Sequence, residues 1–234
     1  MKRNIDIKEI SDGNLYGLND MVKADCGDCK GCSDCCRGMG ESIVLDPYDI
    51  FRLTTGLQVT FEELLADKIA LNVYDGMILP CLKMNEQTDA CAFLNVEGRC
   101  SVHPIRPGIC RLFPLGRYYE NGSFQYFLQI HECKNQNRTK VKVKKWIDIP
   151  DIKENSEYIL AWHDFVNDTQ EQMIQANDEE RFKKVNLFIL QHFFIERYNE
   201  TESFYEQFMQ RLIKAKTVVE SLNKNNWMKE NGNI

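Results

Sequence analysis

The sequence "CGDCKGCSDCC", residues 26–36, decides what kind of fold this chain can adopt. It places five of the ten cysteines within eleven residues and ends with two in succession. Two-residue spacers between cysteines let both thiolates turn toward one metal ion, while the intervening amides donate hydrogen bonds to sulfur. Gly27 and Gly31 fit a backbone wound closely round a metal, because glycine adopts unusual torsions at little cost. The stretch therefore predicts a metal- or cluster-binding loop.

The adjacent pair at the end of this stretch adds a constraint. Neighbouring side chains of an extended backbone point to opposite sides, so Cys35 and Cys36 could not easily bind one ion together. We expect either that the two thiols serve separate metal positions or that only one of them is a ligand. The other five cysteines follow downstream and could close sites that the first group begins: Cys81, Cys91, Cys100, Cys110 and Cys133.

Composition and charge argue against a general nucleic-acid-binding protein, an exported protein and a membrane protein. A net charge of −6 argues against a general nucleic-acid binder, which needs a basic excess to replace the counterions of phosphates. The first residues show no apolar stretch of the kind found in an export signal, and no window approaches the roughly 18 apolar residues of a membrane span. We therefore expect a cytoplasmic protein without membrane contact. In a reducing cytoplasm, clustered thiols bind metals more often than they form disulfides.

Several local signals predict secondary structure in the first 150 residues. Asp46 can cap a helix whose first residue is Pro47 and which ends near Gly56. Thr60, with Glu63 three residues later, can cap a second helix over residues 60–70. Residues 77–105 have the pattern of short strands broken by polar turns, and Asn121-Gly122 predicts a β-hairpin between two aromatic-rich runs.

The last hundred residues contain no cysteine, and their apolar residues recur at helical spacing. This change of pattern predicts an α+β protein: a small cysteine-rich metal-binding core with short helices and β-hairpins, followed by a mostly helical C-terminal region. We expect the core in residues 1–150, with residues 151–234 as a helical extension packed on it. The buried positions expected in this extension are Ile159, Trp162, Phe165, Val166, Met173, Phe204, Phe208, Leu212, Ala215, Val219 and Leu222.

Three short motifs, in the same order, resemble those of a known family. "CKGCSDCC", residues 29–36, and "CAFLNVEGRCSVHPIRPGICRLFP", residues 91–114, are similar to the CxxCxxCC family of zinc- or iron-chelating proteins, which includes relatives of flagellin lysine N-methylase. The resemblance extends from residue 29 to about residue 133. It carries the family pattern onto Cys29, Cys32, Cys35, Cys36, Cys91, Cys100, Arg106, Pro107, Cys110, Arg111 and Pro114.

The chain departs from that pattern at two places. His103 stands where the family usually has a tyrosine, which makes it an additional candidate ligand, and Cys26 lies outside the pattern. Cys81 and Cys133 occupy less regular positions, although a late cysteine is common in the family. The predicted metal ligands are Cys29, Cys32, Cys35, Cys36, Cys81, Cys91, Cys100, Cys110 and Cys133.

Two metal centres suit these cysteines. Structural zinc takes four thiolates or imidazoles at tetrahedral angles. A four-iron (4Fe–4S) cluster also takes four cysteines, and a run such as Cys29, Cys32 and Cys35 with one remote partner matches the ferredoxin arrangement. Cys26, Cys29 and Cys32 would match it equally well. The spacing favours the iron–sulfur cluster slightly and leaves zinc open.

Arg106 and Arg111 flank Cys110 and allow two interpretations. They could balance the negative charge of the ligand set and lower the pKa of the thiol. They could also clamp the carboxylate or phosphate of a bound molecule next to the metal. The first interpretation requires nothing further, so it is the simpler one.

Two classes of function follow. In the first, the protein is a metal-binding module that holds zinc or an iron–sulfur cluster, with the helical region as a surface for a protein partner. In the second, it is a metal-dependent enzyme that transfers a methyl group to a protein, as the resemblance to relatives of flagellin lysine N-methylase implies. The chain lacks the glycine-rich strand-turn-helix fingerprint of doubly wound nucleotide-binding folds. Binding of S-adenosylmethionine would distinguish the enzyme from the module.

Overall fold

The structure combines short helices and two-stranded sheets in its N-terminal half with long helices in its C-terminal half, so the predicted α+β class is confirmed. This computed structural model describes residues 6–27, 32–135 and 137–231, with side chains described as far as residue 222. The described helices are α1 (Ile7–Ile10), α2 (Pro47–Leu57), α3 (Phe61–Asp67), α4 (Gly108–Leu112), α5 (Val143–Ile147), α6 (Ile152–Ala176), α7 (Glu179–Ile189) and α8 (Phe204–Asn231). The strands are β1 (Met21–Asp25), β2 (Ile69–Tyr74), β3 (Met77–Leu82), β4 (Leu115–Glu120), β5 (Ser123–Leu128) and β6 (Thr139–Lys142).

The chain divides into two compact units. The first unit comprises Met1–Asn72 and Pro80–Ile152, and it contains all the cysteines that the structure describes. The second comprises Val73–Leu79 and Lys153–Ile234. No helix in the described part of the chain is long and apolar enough to cross a membrane.

Both predicted helix caps are present, and each forms a capping box. Asp46 accepts a hydrogen bond from the Asp49 amide at 2.9 Å, and the Asp49 carboxylate accepts one from the Asp46 amide at 3.2 Å. Thr60 and Glu63 make the same reciprocal pair at the start of α3. Such pairs satisfy amides that the first turn of a helix leaves without a partner. At its other end, α2 continues past Gly56, and Gln58 ends it in the left-handed conformation.

The segment after α3 is a strand, so the prediction of a helix as far as residue 70 is wrong. α3 ends at Asp67, and Ile69–Tyr74 forms β2, which pairs with β3 in a two-stranded sheet. The residues of β2 are rich in β-branched and aromatic types, which favour strands. Pairing with β3 satisfies the backbone amides and carbonyls of β2. The helical propensity of the preceding residues could not reveal this strand, because it carries no information about a partner strand.

The predicted hairpin around Asn121-Gly122 is confirmed, and it contributes to the core of the first unit. β4 pairs antiparallel with β5, from Leu115 opposite Leu128 to Glu120 opposite Ser123. Asn121 and Gly122 both have positive φ, 52° and 67°, which a two-residue hairpin turn requires. Beside this hairpin, β1 pairs with β6. The buried cluster formed here consists of Val22, Ala24, Leu112, Leu115, Tyr126, Leu128, Val143, Ile147 and Ile149.

The helical unit has an aromatic core that combines predicted positions such as Trp162 and Phe208 with two that the helical spacing did not indicate, Tyr158 and Phe193. The rings of Tyr158 and Phe208 are 4.5 Å apart, and those of Trp162 and Phe193 are 5.1 Å apart, both pairs edge to face. Edge-to-face pairs are favourable because the positive ring edge meets the negative ring face. Of the predicted positions, Ile159, Trp162, Phe165, Met173, Phe204, Phe208, Leu212, Ala215 and Val219 are buried, and Val166 and Leu222 are partly buried.

Asn186 joins α7 to the turn between β2 and β3 within the second unit. It is fully buried; its Oδ1 accepts a hydrogen bond from the Ile78 amide at 2.6 Å, and its Nδ2 donates to the Gly76 carbonyl at 3.1 Å. Gln170 of α6 donates to the Tyr74 carbonyl at 2.9 Å. Two buried side-chain amides therefore satisfy the backbone of this short turn.

Replacing Asn186 with alanine should lower the free energy of unfolding by about 2 kcal/mol, because the Ile78 amide and the Gly76 carbonyl, both partly buried, would each lose this partner. Thermal or urea denaturation followed by circular dichroism measures this loss. Lys183→Ala, at an exposed position of the same helix, is the matched control and should change stability by less than about 0.5 kcal/mol. Equal effects of the two substitutions would contradict the role given to Asn186.

Candidate metal centre

Four cysteines that are distant in sequence lie close enough to influence one another's ionisation. They are Cys36, Cys91, Cys100 and Cys110, and all four are thiols rather than disulfides. Burial is the main cause that raises the pKa values of Cys91, Cys100 and Cys110, and the charge of Cys36 raises all three further. Cys91 and Cys100 also raise the pKa of Cys110. Thiolates that repel one another in a buried site are stabilised together by a metal cation.

Backbone pairing places Cys36 beside Cys91. Cys36 ends a 3₁₀ turn at Asp34–Cys36, and its carbonyl accepts a hydrogen bond from the Cys91 amide at 2.8 Å. The contact continues along the chain, because Arg37 forms a bridge with Ala90. The N-terminal cysteine loop is thus joined directly to the segment that begins the second motif.

A tight turn brings Cys100 back toward Cys91. Gly98 donates to the Asn95 carbonyl at 3.0 Å, and Leu94 forms a bridge with Cys100. This is the turn predicted within residues 77–105. A short hairpin therefore presents the two cysteines of the second motif together.

Cys110 comes from the short helix α4, whose start is attached to α2. The Asp49 carboxylate accepts a hydrogen bond from the Gly108 amide at 2.7 Å, two residues before Cys110. Asp49 is buried, and its pKa is raised to about 8, mainly by burial and also by the neighbouring Asp46. The sequence carries no signal for this role of Asp49, because the hydrogen bond joins residues 59 positions apart.

A family comparison covers the region that contains all four thiols. The CxxCxxCC family profile, described as "Putative zinc- or iron-chelating domain", matches residues 28–145, half of the 234-residue chain. The chain belongs to the CxxCxxCC family. Neither the curated proteins nor the solved structures compared with the chain gave a match.

The thiols of this CxxCxxCC protein fit the metals in the family description. Thiolates are soft ligands that suit zinc and iron–sulfur clusters, and both centres are satisfied by four of them. Among the residues that the structure describes, no three His, Cys, Asp or Glu side chains converge closely enough to hold an ion as they stand. Metal binding through the four thiols would therefore require them to move closer together.

The adjacent pair differs from the expectation based on an extended chain. Cys35 and Cys36 lie in the 3₁₀ turn, and their side chains are hydrogen-bonded to each other, so they do not point to opposite sides. This hydrogen bond is the main cause that lowers the pKa of Cys36 to about 7. Burial opposes the effect, and the charges of Arg106 and Arg37 add to it. A substantial fraction of Cys36 is therefore expected to be thiolate near neutral pH.

Basic side chains influence three of the four thiols. Arg106 favours the thiolate forms of Cys36 and Cys100, and Lys68 favours that of Cys91. The Arg106 guanidinium also contacts His103 Nε2, the residue that stands in place of the usual tyrosine. These positive charges favour the thiolates of Cys36, Cys91 and Cys100. The pKa of Cys110, the thiol that Arg106 and Arg111 flank in sequence, is raised by burial, so the lowering expected there is not found.

Arg111 bonds mainly to the backbone. Its Nε donates to the Arg106 carbonyl at 3.2 Å, its Nη1 to the Asp148 carbonyl at 2.9 Å, and its Nη2 to the Pro104 carbonyl. Burial is the main cause that lowers its pKa to about 10. With all three nitrogens engaged by carbonyl groups, Arg111 supports the loop that contains Cys110 and has little capacity left for a bound anion.

The other predicted ligands lie outside the group of Cys36, Cys91, Cys100 and Cys110. Cys81 is buried in β3, where its Sγ accepts a hydrogen bond from Asn72 Nδ2 at 3.1 Å. The Cys32 thiol contacts Asp34 at 3.6 Å. Asp34 also forms an ion pair at 3.7 Å with Lys134, the residue after Cys133, so the segments of Cys32 and Cys133 approach each other there. Cys29 lies outside the described residues.

In metal-free protein, Cys36 should be alkylated by iodoacetamide with a pH midpoint of about 7, because the thiolate is the reacting form. Cys35→Ala removes the main cause of the lowered pKa, so the midpoint should move upward, toward the ordinary value of 9.0. Alkylation rates measured by mass spectrometry across this pH range test both statements. Cys26→Ala removes a cysteine from the same loop and should leave the midpoint unchanged; an unchanged midpoint in Cys35→Ala as well would contradict the hydrogen bond.

Proposed function

We propose that this protein is a metal-binding module that holds zinc or an iron–sulfur cluster through Cys36, Cys91, Cys100 and Cys110. The observation that carries the proposal is the backbone pairing that brings the segments of Cys36, Cys91 and Cys100 together. The charge of Cys36 also raises the pKa values of Cys91, Cys100 and Cys110, so Cys110, which comes from a third segment, lies near the same group. Membership of a zinc- or iron-chelating family supports it independently.

The environment of the thiols is suited to a cation. Ionising several buried thiols close together is unfavourable unless a positive charge compensates them, which is why burial raises the pKa values of Cys91, Cys100 and Cys110. Arg106, Arg37 and Lys68 compensate only in part. A divalent zinc ion or a cationic iron–sulfur core supplies the remainder and displaces the thiol protons.

A centre with four thiolates has a restricted chemistry. Zinc with four protein ligands has no open position for water or substrate, which is typical of structural sites. A four-iron cluster held by four cysteines transfers electrons without binding a substrate directly. The proposed site therefore supports a structural, storage or electron-transfer role.

The cysteines outside this group could form a second metal position. Cys32 and Cys133 belong to segments that meet at the ion pair between Asp34 and Lys134. The run of two-residue spacers that begins at Cys26 offers the local thiols that a cluster requires. In this arrangement Cys35, hydrogen-bonded to Cys36, stands at the junction between the two groups.

Protein purified without oxygen should contain zinc near one equivalent or iron together with inorganic sulfide. Elemental analysis, a sulfide assay and a visible absorption spectrum distinguish these results, because an iron–sulfur cluster is coloured and zinc is not. A colourless preparation with less than about half an equivalent of any metal, also after attempted reconstitution, would reject the proposed function.

Cys91→Ala and Cys110→Ala should each lower metal affinity by more than about 100-fold, since even the loss of a residue that only supports a ligand costs about 10–100-fold. Competition with a chromogenic chelator measures the affinity. Cys81→Ala is the matched control: it removes a buried thiol from the same unit, and we expect it to leave affinity within about threefold, because Cys81 bonds to Asn72. A loss in Cys81→Ala equal to that in Cys110→Ala would show that a different set of cysteines binds the metal.

A further inference from the structure

One face of α2 contacts the loop that connects Cys100 to Cys110. Asp49 Oδ1 accepts a hydrogen bond from the Gly108 amide at 2.7 Å. Arg52 Nη2, three residues later, donates to the Pro104 carbonyl at 2.8 Å. At Gly56, a further turn along, a Cβ atom would come within 2.5 Å of Ile105 Cδ1, so the absence of a side chain permits this close approach. Residues spaced by three and four lie on the same face of a helix, so α2 acts as one surface against the loop.

Asp49 makes the contact nearest to a cysteine. It is only 4% exposed, and its two oxygens accept the amides of Asp46 and Gly108. The Gly108 amide is at the start of α4, where the first turn provides it no partner within the helix. α4 has only five residues, too few to keep a fixed orientation without tertiary contacts. The hydrogen bond from Asp49 supplies such a contact two residues before Cys110.

Asp49 also lies near the thiol itself. After burial, its charge is the largest influence on Cys110, and it disfavours the thiolate. Because the pKa of Asp49 is itself raised to about 8, this charge is largely absent near neutral pH, and the main contribution of Asp49 there is its hydrogen bond to the start of α4. Asparagine retains an oxygen acceptor and never carries the charge, so Asp49→Asn tests the hydrogen bond by itself.

We propose that Asp49 is a positioning residue of the metal centre: its hydrogen bond to the Gly108 amide fixes the start of α4, and thereby limits where Cys110 can lie when the thiols gather round a metal. This inference rests on the proposed metal-binding function. A group that holds a ligand in place typically contributes about 10–100-fold to metal affinity, since the free energy of orienting the ligand is otherwise lost on binding.

The test compares Asp49→Ala with Asp49→Asn and Asp46→Ala in the full-length protein, with zinc as the probe in competition with a chromogenic chelator. Asp49→Ala should bind zinc at least about tenfold more weakly than the wild-type protein. Asp49→Asn should bind within about threefold of wild type, or more tightly, because it can still accept the Gly108 amide. Asp46→Ala breaks the same capping box without touching the loop and should also remain within about threefold.

Cobalt spectra provide a readout that a general loss of stability would not change. Each thiolate bound to cobalt contributes to the sulfur-to-metal charge-transfer absorption. Cobalt-loaded Asp49→Ala should lose part of this absorption, since Cys110 no longer reaches the metal, whereas Asp46→Ala should keep it. Thermal denaturation of the metal-free variants identifies any that do not fold; if Asp49→Ala does not, Asp49→Asn and Asp49→Ser at the same position decide the comparison.

Three outcomes would overturn the inference. Zinc affinity of Asp49→Ala within threefold of wild type shows that Asp49 is not needed for positioning. Equal weakening in Asp49→Ala and Asp49→Asn shows that the acceptor toward Gly108 is not what matters. Equal weakening in Asp46→Ala shows that helix capping alone explains the loss. If wild-type protein itself fails to bind zinc or iron, the proposed function fails, and this result is distinct from all three.

Discussion

The cost of ionising several thiols close together is the constraint on which the cysteine site of the first unit depends. Cys91 is buried, Cys36, Cys100 and Cys110 are partly buried, and the charge of Cys36 raises the pKa values of the other three. Without compensation, such a group is stable only as neutral thiols. The basic residues around the thiols, and the short 3₁₀ turn that joins Cys35 to Cys36, shift the balance toward thiolates at one point of the group. As the pH rises, Cys36 is therefore expected to lose its thiol proton before Cys91, Cys100 and Cys110.

The elements that bring these cysteines together are individually short. The turn at Asp34–Cys36, the turn between Cys91 and Cys100, and the five-residue α4 would each be unstable in isolation. They are held by contacts between segments: the Cys91 amide on the Cys36 carbonyl, Arg111 on three carbonyls, and the Asp49 carboxylate on the Gly108 amide. The loops near the cysteines are therefore ordered by hydrogen bonds to the backbone as well as by apolar packing.

The sequence predicts the features that depend on local chemistry. The capping residues of α2 and α3, the Asn121-Gly122 hairpin and the buried positions of the long helices follow from patterns that span a few residues. The strand at Ile69–Tyr74 could not be predicted in the same way, because a partner strand decides it. Cys35 and Cys36 would point to opposite sides in an extended backbone, but the chain turns there, and neighbouring residues alone do not reveal that turn. The family motifs indicate cysteines at the site, but the role of Asp49 depends on a contact between residues 59 positions apart.

The turn between β2 and β3 has a consequence for how the protein can be divided. Residues Val73–Leu79 belong to the same unit as the helices, although they lie within the sequence of the cysteine unit. Gln170 and Asn186 satisfy the backbone of this turn, and Met77 is fully buried. A gene truncated after Ile152 would encode every cysteine, yet the resulting chain would expose a turn whose polar and apolar partners are both missing. A single cut in the chain after Ile152 would therefore separate the turn from the helices whose side chains bond to its backbone.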